Sequence, residues 1–164
     1  MKELFIVRHG KSSWNIDGLS DMDRPLKERG IHDGYTMAKR IMQKSKKPDL
    51  IISSPAIRAL HSATIFARVL EYPYGNILIT EELYFSGVQQ VLELLKSIQD
   101  NVNTLMIFGH NPTFTDLANV FTGNKIDNLP TTGVVHVQTE SNTWSEFNKS
   151  TILNQDFDYP KKTE

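Results

Sequence analysis

The stretch Leu4-Phe5-Ile6-Val7-Arg8-His9-Gly10 runs from four large apolar residues straight into a guanidinium, an imidazole and a glycine. Four such residues, two of them β-branched, predict a short strand buried on both faces, as in the parallel sheets of α/β domains. In open α/β sheets the ligand crevice lies beyond the carboxyl ends of the strands, which places Arg8 and His9 where chemistry is done. Gly10 is expected to permit a sharp turn just after them.

Two more strand exits carry reactive residues. Leu50-Ile51-Ile52 predicts a second buried strand, leaving through Ser53-Ser54-Pro55 into a helix over Ala56 to Leu70 with Ile57, Leu60, Thr64, Ala67 and Leu70 as its inner stripe. Arg58 falls in the first turn of that helix, the wrong end of the dipole for a cation unless an anion is near. Thr104-Leu105-Met106-Ile107-Phe108 predicts a further buried strand, and it ends in Gly109-His110-Asn111-Pro112. A second histidine thus follows a strand across a glycine.

The remaining elements fill in the frame. Lys11 to Pro25 reads as a loop, long enough to suggest a function of its own. A helix follows from Leu26, with Asp23 as candidate cap and Leu26, Ile31, Met37, Ile41 and Met42 facing inward. Ile77-Leu78-Ile79 is a third strand candidate, Ser86 and Gln89 form a capping box for the next helix, and Thr113 to Phe121 is a short helix. Gly133 to Gln138 and Trp144 to Asn148 alternate as antiparallel strands do, and the polar tail 158–164 is expected to be flexible. The whole predicts one α/β domain over residues 1–164: a three-layer sandwich whose mostly parallel central sheet is flanked by helices, with one or two antiparallel strands at the C-terminal end.

Composition narrows the function classes. The 164 residues carry 18 Lys plus Arg against 19 Asp plus Glu, a formal net charge of -1, so nothing draws the chain to nucleic acid or to an acidic membrane. With no cysteine there are no disulfides and no thiolate nucleophile. No apolar run reaches membrane-spanning length and the N-terminus lacks a signal-peptide core. A soluble, cytoplasmic monomer is expected.

In an α/β sandwich these strand exits converge on one sheet edge, bringing Arg8, His9, Arg58 and His110 together from distant parts of the chain. Two guanidinium forks and two imidazoles suit a dianionic phosphoryl group. A histidine in such a pocket can attack phosphorus and carry the group covalently, while the other residues stabilise charge on the equatorial oxygens.

The chain resembles the histidine phosphatase superfamily, the phosphoglycerate-mutase-like group, through Arg8-His9-Gly10, Ser53-Ser54-Pro55-Ala56-Ile57-Arg58-Ala59 and Gly109-His110-Asn111-Pro112. Within it the likeness is to the small bacterial phosphohistidine phosphatases, carried by Arg8 to Trp14, by Asp23-Arg24-Pro25-Leu26 with Arg29-Gly30, and by His110-Asn111-Pro112. The resemblance implies that His9 is the phosphorylated nucleophile, that Arg8 and Arg58 bind the phosphoryl oxygens, that His110 completes the pocket, and that Asn15 contributes a phosphate contact. His32, His61 and His136 are read as structural.

One departure bears on substrate. Many members place a glutamate, as proton donor to the leaving oxygen, after the third strand; here the comparable stretch is Leu83-Tyr84-Phe85, and Glu81 and Glu82 are out of register. An alkoxide needs that proton, whereas imidazole, with a pKa of about 6.5, leaves once protonated by solvent. The expected activity is therefore a metal-independent and cofactor-free phosphatase acting on phosphohistidine of a phosphorelay or carrier protein through phospho-His9. The alternatives are a phosphomonoesterase of a small metabolite with Glu82 as acid, and a non-catalytic phosphate-binding adaptor. A zinc site from His9 and His110 with Asp21 or Asp23 lacks the close histidine spacing of helical zinc motifs.

Overall fold

The computed structural model describes residues 1–45 and 47–162. Six strands form one sheet: β1 (Lys2–Arg8), β2 (Leu50–Ser53), β3 (Leu78–Ile79), β4 (Thr104–Gly109), β5 (Val134–Thr139) and β6 (Ile152–Asp158), in the order β3-β2-β4-β1-β5-β6. β3, β2, β4 and β1 pair in parallel, and β5 runs antiparallel between β1 and β6. Alternate side chains of each strand serve the two faces. Phe5, Val7, Ile51, Met106 and Phe108 pack under α1 (Glu28–Lys44) and α2 (Ile57–Val69). Leu4, Ile6, Ile52, Leu105 and Ile107 pack under α3 (Val88–Lys96) and α4 (Thr113–Phe121), which completes the three expected layers.

Several local expectations are corrected. Gly10 has no positive φ, and a Cβ there would meet the Gly30 carbonyl at 3.0 Å, so space rather than turn geometry requires glycine. Gly30 is tighter still, with a Cβ falling 2.4 Å from the Lys11 carbonyl, because α1 begins hard against the loop after His9. Helix α1 is capped at Lys27, leaving Asp23 in a separate 3-10 turn, Asp21–Asp23, and Met42 is exposed at the far end. Helix α2 buries Ala59, Ala63, Phe66 and Ala67, while Ile57 faces out. Helix α3 is capped by Gly87; the Ser86 hydroxyl donates to the Glu82 carbonyl, so no capping box forms.

The largest corrections concern the C-terminal third. Trp144 and Phe147 do not line a ladder: three residues apart, they stack with ring centroids 5.2 Å apart inside the core, and the indole Nε1 donates to the Val102 carbonyl at 2.8 Å. The last strand is Ile152–Asp158, whose polar sequence reflects its place at the sheet edge. The start of the expected loose tail is tied down, since Arg40 Nη1 donates to Asp158 Oδ1 and to the Tyr159 carbonyl, both at 3.0 Å, and Nη2 to the Pro160 carbonyl at 3.1 Å. Residues 163 and 164 lie outside the described residues. No helix among the described residues is long and apolar enough to cross a membrane.

Candidate active site

The carboxyl ends of β1, β2 and β4 open onto a pocket of about 270 Å³ that Arg8, His9, Arg58 and His110 line together. Each reaches it for a local reason. Arg8 closes β1 and His9 follows at once, pinned between its own N–H to the Gly109 carbonyl and the Thr132 N–H donated to the Arg8 and His9 carbonyls. Arg58 sits in the first turn of α2, where Ser62 Oγ donates to its carbonyl and accepts from the Gly10 N–H, stitching helix to loop. His110 follows β4 at Gly109, where a Cβ would fall 2.5 Å from the Phe114 ring.

Hydrogen bonding assigns the tautomers. His9 Nδ1 lies 2.7 Å from the Gly10 carbonyl, which can only accept, so Nδ1 carries the proton and Nε2 keeps its lone pair. Arg58 Nη2 donates to His110 Nδ1 at 3.3 Å, which leaves His110 Nε2–H to donate to Ser54 Oγ at 2.8 Å. The two rings lie 5.0 Å apart. Burial drives the His9 pKa down to about 3; the charges of Arg58, Arg8 and Arg24 push the same way, against the bond to Gly10. Burial also takes His110 to about 3, reinforced by His9 and Arg58. Both rings are neutral at pH 7.

That neutrality is a stability statement. In the unfolded chain both histidines bind a proton near the ordinary value of 6.5, whereas the folded chain resists protonation until about pH 3. The unfolded state therefore binds more protons between these limits, and stability is lost as pH falls. Urea midpoints measured from pH 7 to pH 4 should show a loss approaching roughly 2 to 3 kcal/mol per pH unit, two protons at about 1.4 each.

Arginine 58 is almost wholly buried, and its fork is largely spent on one acid. Nη1 donates to the Asp21 carbonyl at 2.6 Å and Nη2 to Asp21 Oδ2 at 2.9 Å. Asp21 also accepts from Arg24 Nε at 3.1 Å and from the Tyr84 hydroxyl at 2.8 Å. Burial alone would raise its pKa, but Tyr84, Arg58 and Arg24 together hold it near 2, so its carboxylate is ionised. Arg24 is buried as well, donates to Ser12 Oγ at 2.9 Å and lies 3.4 Å over the Trp14 ring, a cation–π contact. Both Arg8 and Arg58 keep a buried Nε–H with no partner among the described residues, donor capacity suited to an anion.

Sequence reasoning weighed Asp21 only as a zinc ligand beside His9 and His110, and missed Arg24, Trp14 and Phe85 as pocket-lining residues. The Asp21 to Arg24 spacing, three apart on a short turn, was the available signal for that pair. Asn15 was expected here, but its side chain is exposed on the loop and does not line the pocket. Glu81 and Glu82 are exposed on their 3-10 turn and do not line it either. The described residues contain no group of three His, Asp or Glu side chains spaced to hold a metal ion, and the Asp21 carboxylate is already engaged by Arg24, Arg58 and Tyr84. A larger cavity, about 530 Å³, lies beside the loop at Asn124–Asn128, but it contains no histidine or arginine.

The model of the histidine phosphatase superfamily (branch 1) matches residues 4–84. An uncharacterised protein of Mycobacterium tuberculosis is 33% identical over 112 residues, covering 68% of this chain and 67% of that one. A structure assigned as the phosphohistidine phosphatase SixA of Agrobacterium tumefaciens superposes with a TM-score of 0.77 at 26% identity, over 84% of this chain and 92% of that one. The fold is shared by the protein histidine phosphatase SixA complexed with tungstate, TM-score 0.77 at 22% identity, over 96% and 97% of the two chains. With the sequence match beginning at the very strand that delivers His9, and the fold agreeing with that match, the chain belongs to the histidine phosphatase superfamily and is a phosphatase.

Proposed function

We propose that this phosphatase hydrolyses phosphohistidine on a partner protein, through a phosphoryl group carried on His9, without a metal. The observation that carries this reading is the protonation state of the pocket: a neutral nucleophile with Nε2 free, and one lining carboxylate, Asp21, that is ionised and so has no proton to give.

In the first step His9 Nε2 bonds to phosphorus as the P–N bond to the substrate imidazole breaks, and the departing nitrogen takes its proton from water. In the second, water attacks the phosphorus, releases inorganic phosphate and restores the ring. Arg8 and Arg58 hold the equatorial oxygens, while His110 fixes the Arg58 fork through its Nδ1. An alkoxide would leave this pocket unprotonated, whereas imidazole does not need an enzyme acid. Trp14 and Phe85 line the same pocket and are 73% and 53% exposed, apolar surface placed to meet a protein rather than a small solute.

The test is a side-by-side assay of a phosphohistidine protein, an aryl phosphate and an alkyl phosphate, with and without strong chelator. Phosphohistidine turnover that survives chelation, with the alkyl ester slow, is expected. Fast alkyl ester turnover lost in Glu82→Gln defeats the reading. Because the Asp21 carboxylate competes with any anion for Arg58, Asp21→Asn should tighten inorganic phosphate about tenfold by calorimetry, one charge of repulsion being removed nearby.

A further inference from the structure

Beside the phosphoryl pocket lies a second cavity of about 300 Å³, and Lys11 and Thr131 line both, so the two adjoin. Its other charged residues are Arg29, Lys161 and Asp33. Asp33 meets Arg29 at 3.6 Å and cancels one charge, which leaves a groove of about two net positive charges in a chain whose overall charge is -1. The groove is built: its far wall is Tyr159, Pro160 and Lys161, the segment that Arg40 holds against the fold through the Tyr159 and Pro160 carbonyls. None of Arg29, Lys161 or Tyr159 lines the phosphoryl pocket, so the phosphoryl cradle makes no use of them.

We propose that this groove docks an acidic segment flanking the phosphorylated side chain of a partner protein, with Arg29 and Lys161 as its specificity-determining cations. The inference rests on the phosphohistidine-protein reading above and extends it from the phosphoryl group to the surrounding polypeptide. Charge complementarity of this rim kind acts on encounter and selectivity, and it fades with salt.

The test uses two synthetic peptides with one central phosphohistidine and the same sequence, except for glutamates in one where the other has glutamines. The wild type should show about tenfold lower KM for the glutamate peptide at low salt, with the preference erased at high salt. Arg29→Glu with Lys161→Glu should remove or invert the preference, and the milder pair Arg29→Gln with Lys161→Gln should shift it the same way by less, while aryl phosphate turnover stays within about twofold of wild type. Equal KM values for the two peptides in the wild type, or a preference that neither pair moves, overturn the proposal. So does a result in which the variants lose a small bisphosphate but keep the glutamate peptide.

A second arm separates this proposal from the phosphohistidine reading. The unphosphorylated glutamate peptide should inhibit aryl phosphate hydrolysis by the wild type more strongly than its glutamine twin. If neither phosphopeptide is hydrolysed, the phosphohistidine reading falls, and this inhibition alone decides whether the groove is real.

Discussion

His9→Ala is expected to lower phosphatase turnover by roughly ten-thousand-fold or more while the protein still folds, because the variant removes the atom proposed to bond to phosphorus. The folded state should tolerate the change, since the ring makes its hydrogen bond to the adjacent Gly10 carbonyl and supports no distant element through it. Two measurements read the result. Quenched single turnovers of the wild type should trap acid-labile phosphate on the chain, and the variant should trap none. The acid-stability slope should fall by about half, because one of the two depressed imidazoles is gone. Residual activity near wild type, or phosphate trapped on the variant, would put the nucleophile elsewhere.

Arg58→Lys should cost roughly a hundred- to a thousand-fold in kcat/KM, although the charge is kept. One guanidinium reaches the Asp21 carbonyl, the Asp21 carboxylate and His110 Nδ1 from a fully buried position, and its planar fork makes these contacts simultaneously. A single ammonium cannot satisfy all three. The turn at Asp21–Asp23 should loosen and His110 should lose its fixed partner, so thermal stability should drop together with activity. Arg24→Lys is the informative control: Arg24 holds the same carboxylate from the loop side without touching His110, and its loss should be several-fold milder. Equal effects of the two would mean that Asp21 alone, rather than the Arg58 fork, organises the pocket.

The sheet and three of its strand exits were legible because buried strands announce themselves as short apolar runs. Leu4 to Val7, Leu50 to Ile52 and Thr104 to Phe108 all became strands, and the residues following them meet at one edge. What stayed hidden has physical causes. The edge strand Ile152–Asp158 is polar because one side of it meets water. Trp144 and Phe147 mimic a strand pattern when their spacing serves a stacked pair. Asp21 and Arg24 lie in a loop without periodicity; their i,i+3 spacing hints at a pair, but their place in the pocket depends on tertiary contacts to Arg58, Tyr84 and Trp14. Gly30 could be read as a helix residue, but not as the point where Lys11 crosses the helix at contact distance.

The strand order has a consequence for biosynthesis. β1 and β2 do not pair with each other; each pairs with β4, which is made some fifty residues after β2. A ribosome that has released only the first hundred residues has already emitted Arg8, His9 and Arg58, yet it has nothing to zip their strands together. The half-made polypeptide thus carries most of the pocket's charged and imidazole groups apart from one another, and one late insertion brings the sheet and the pocket into being at once.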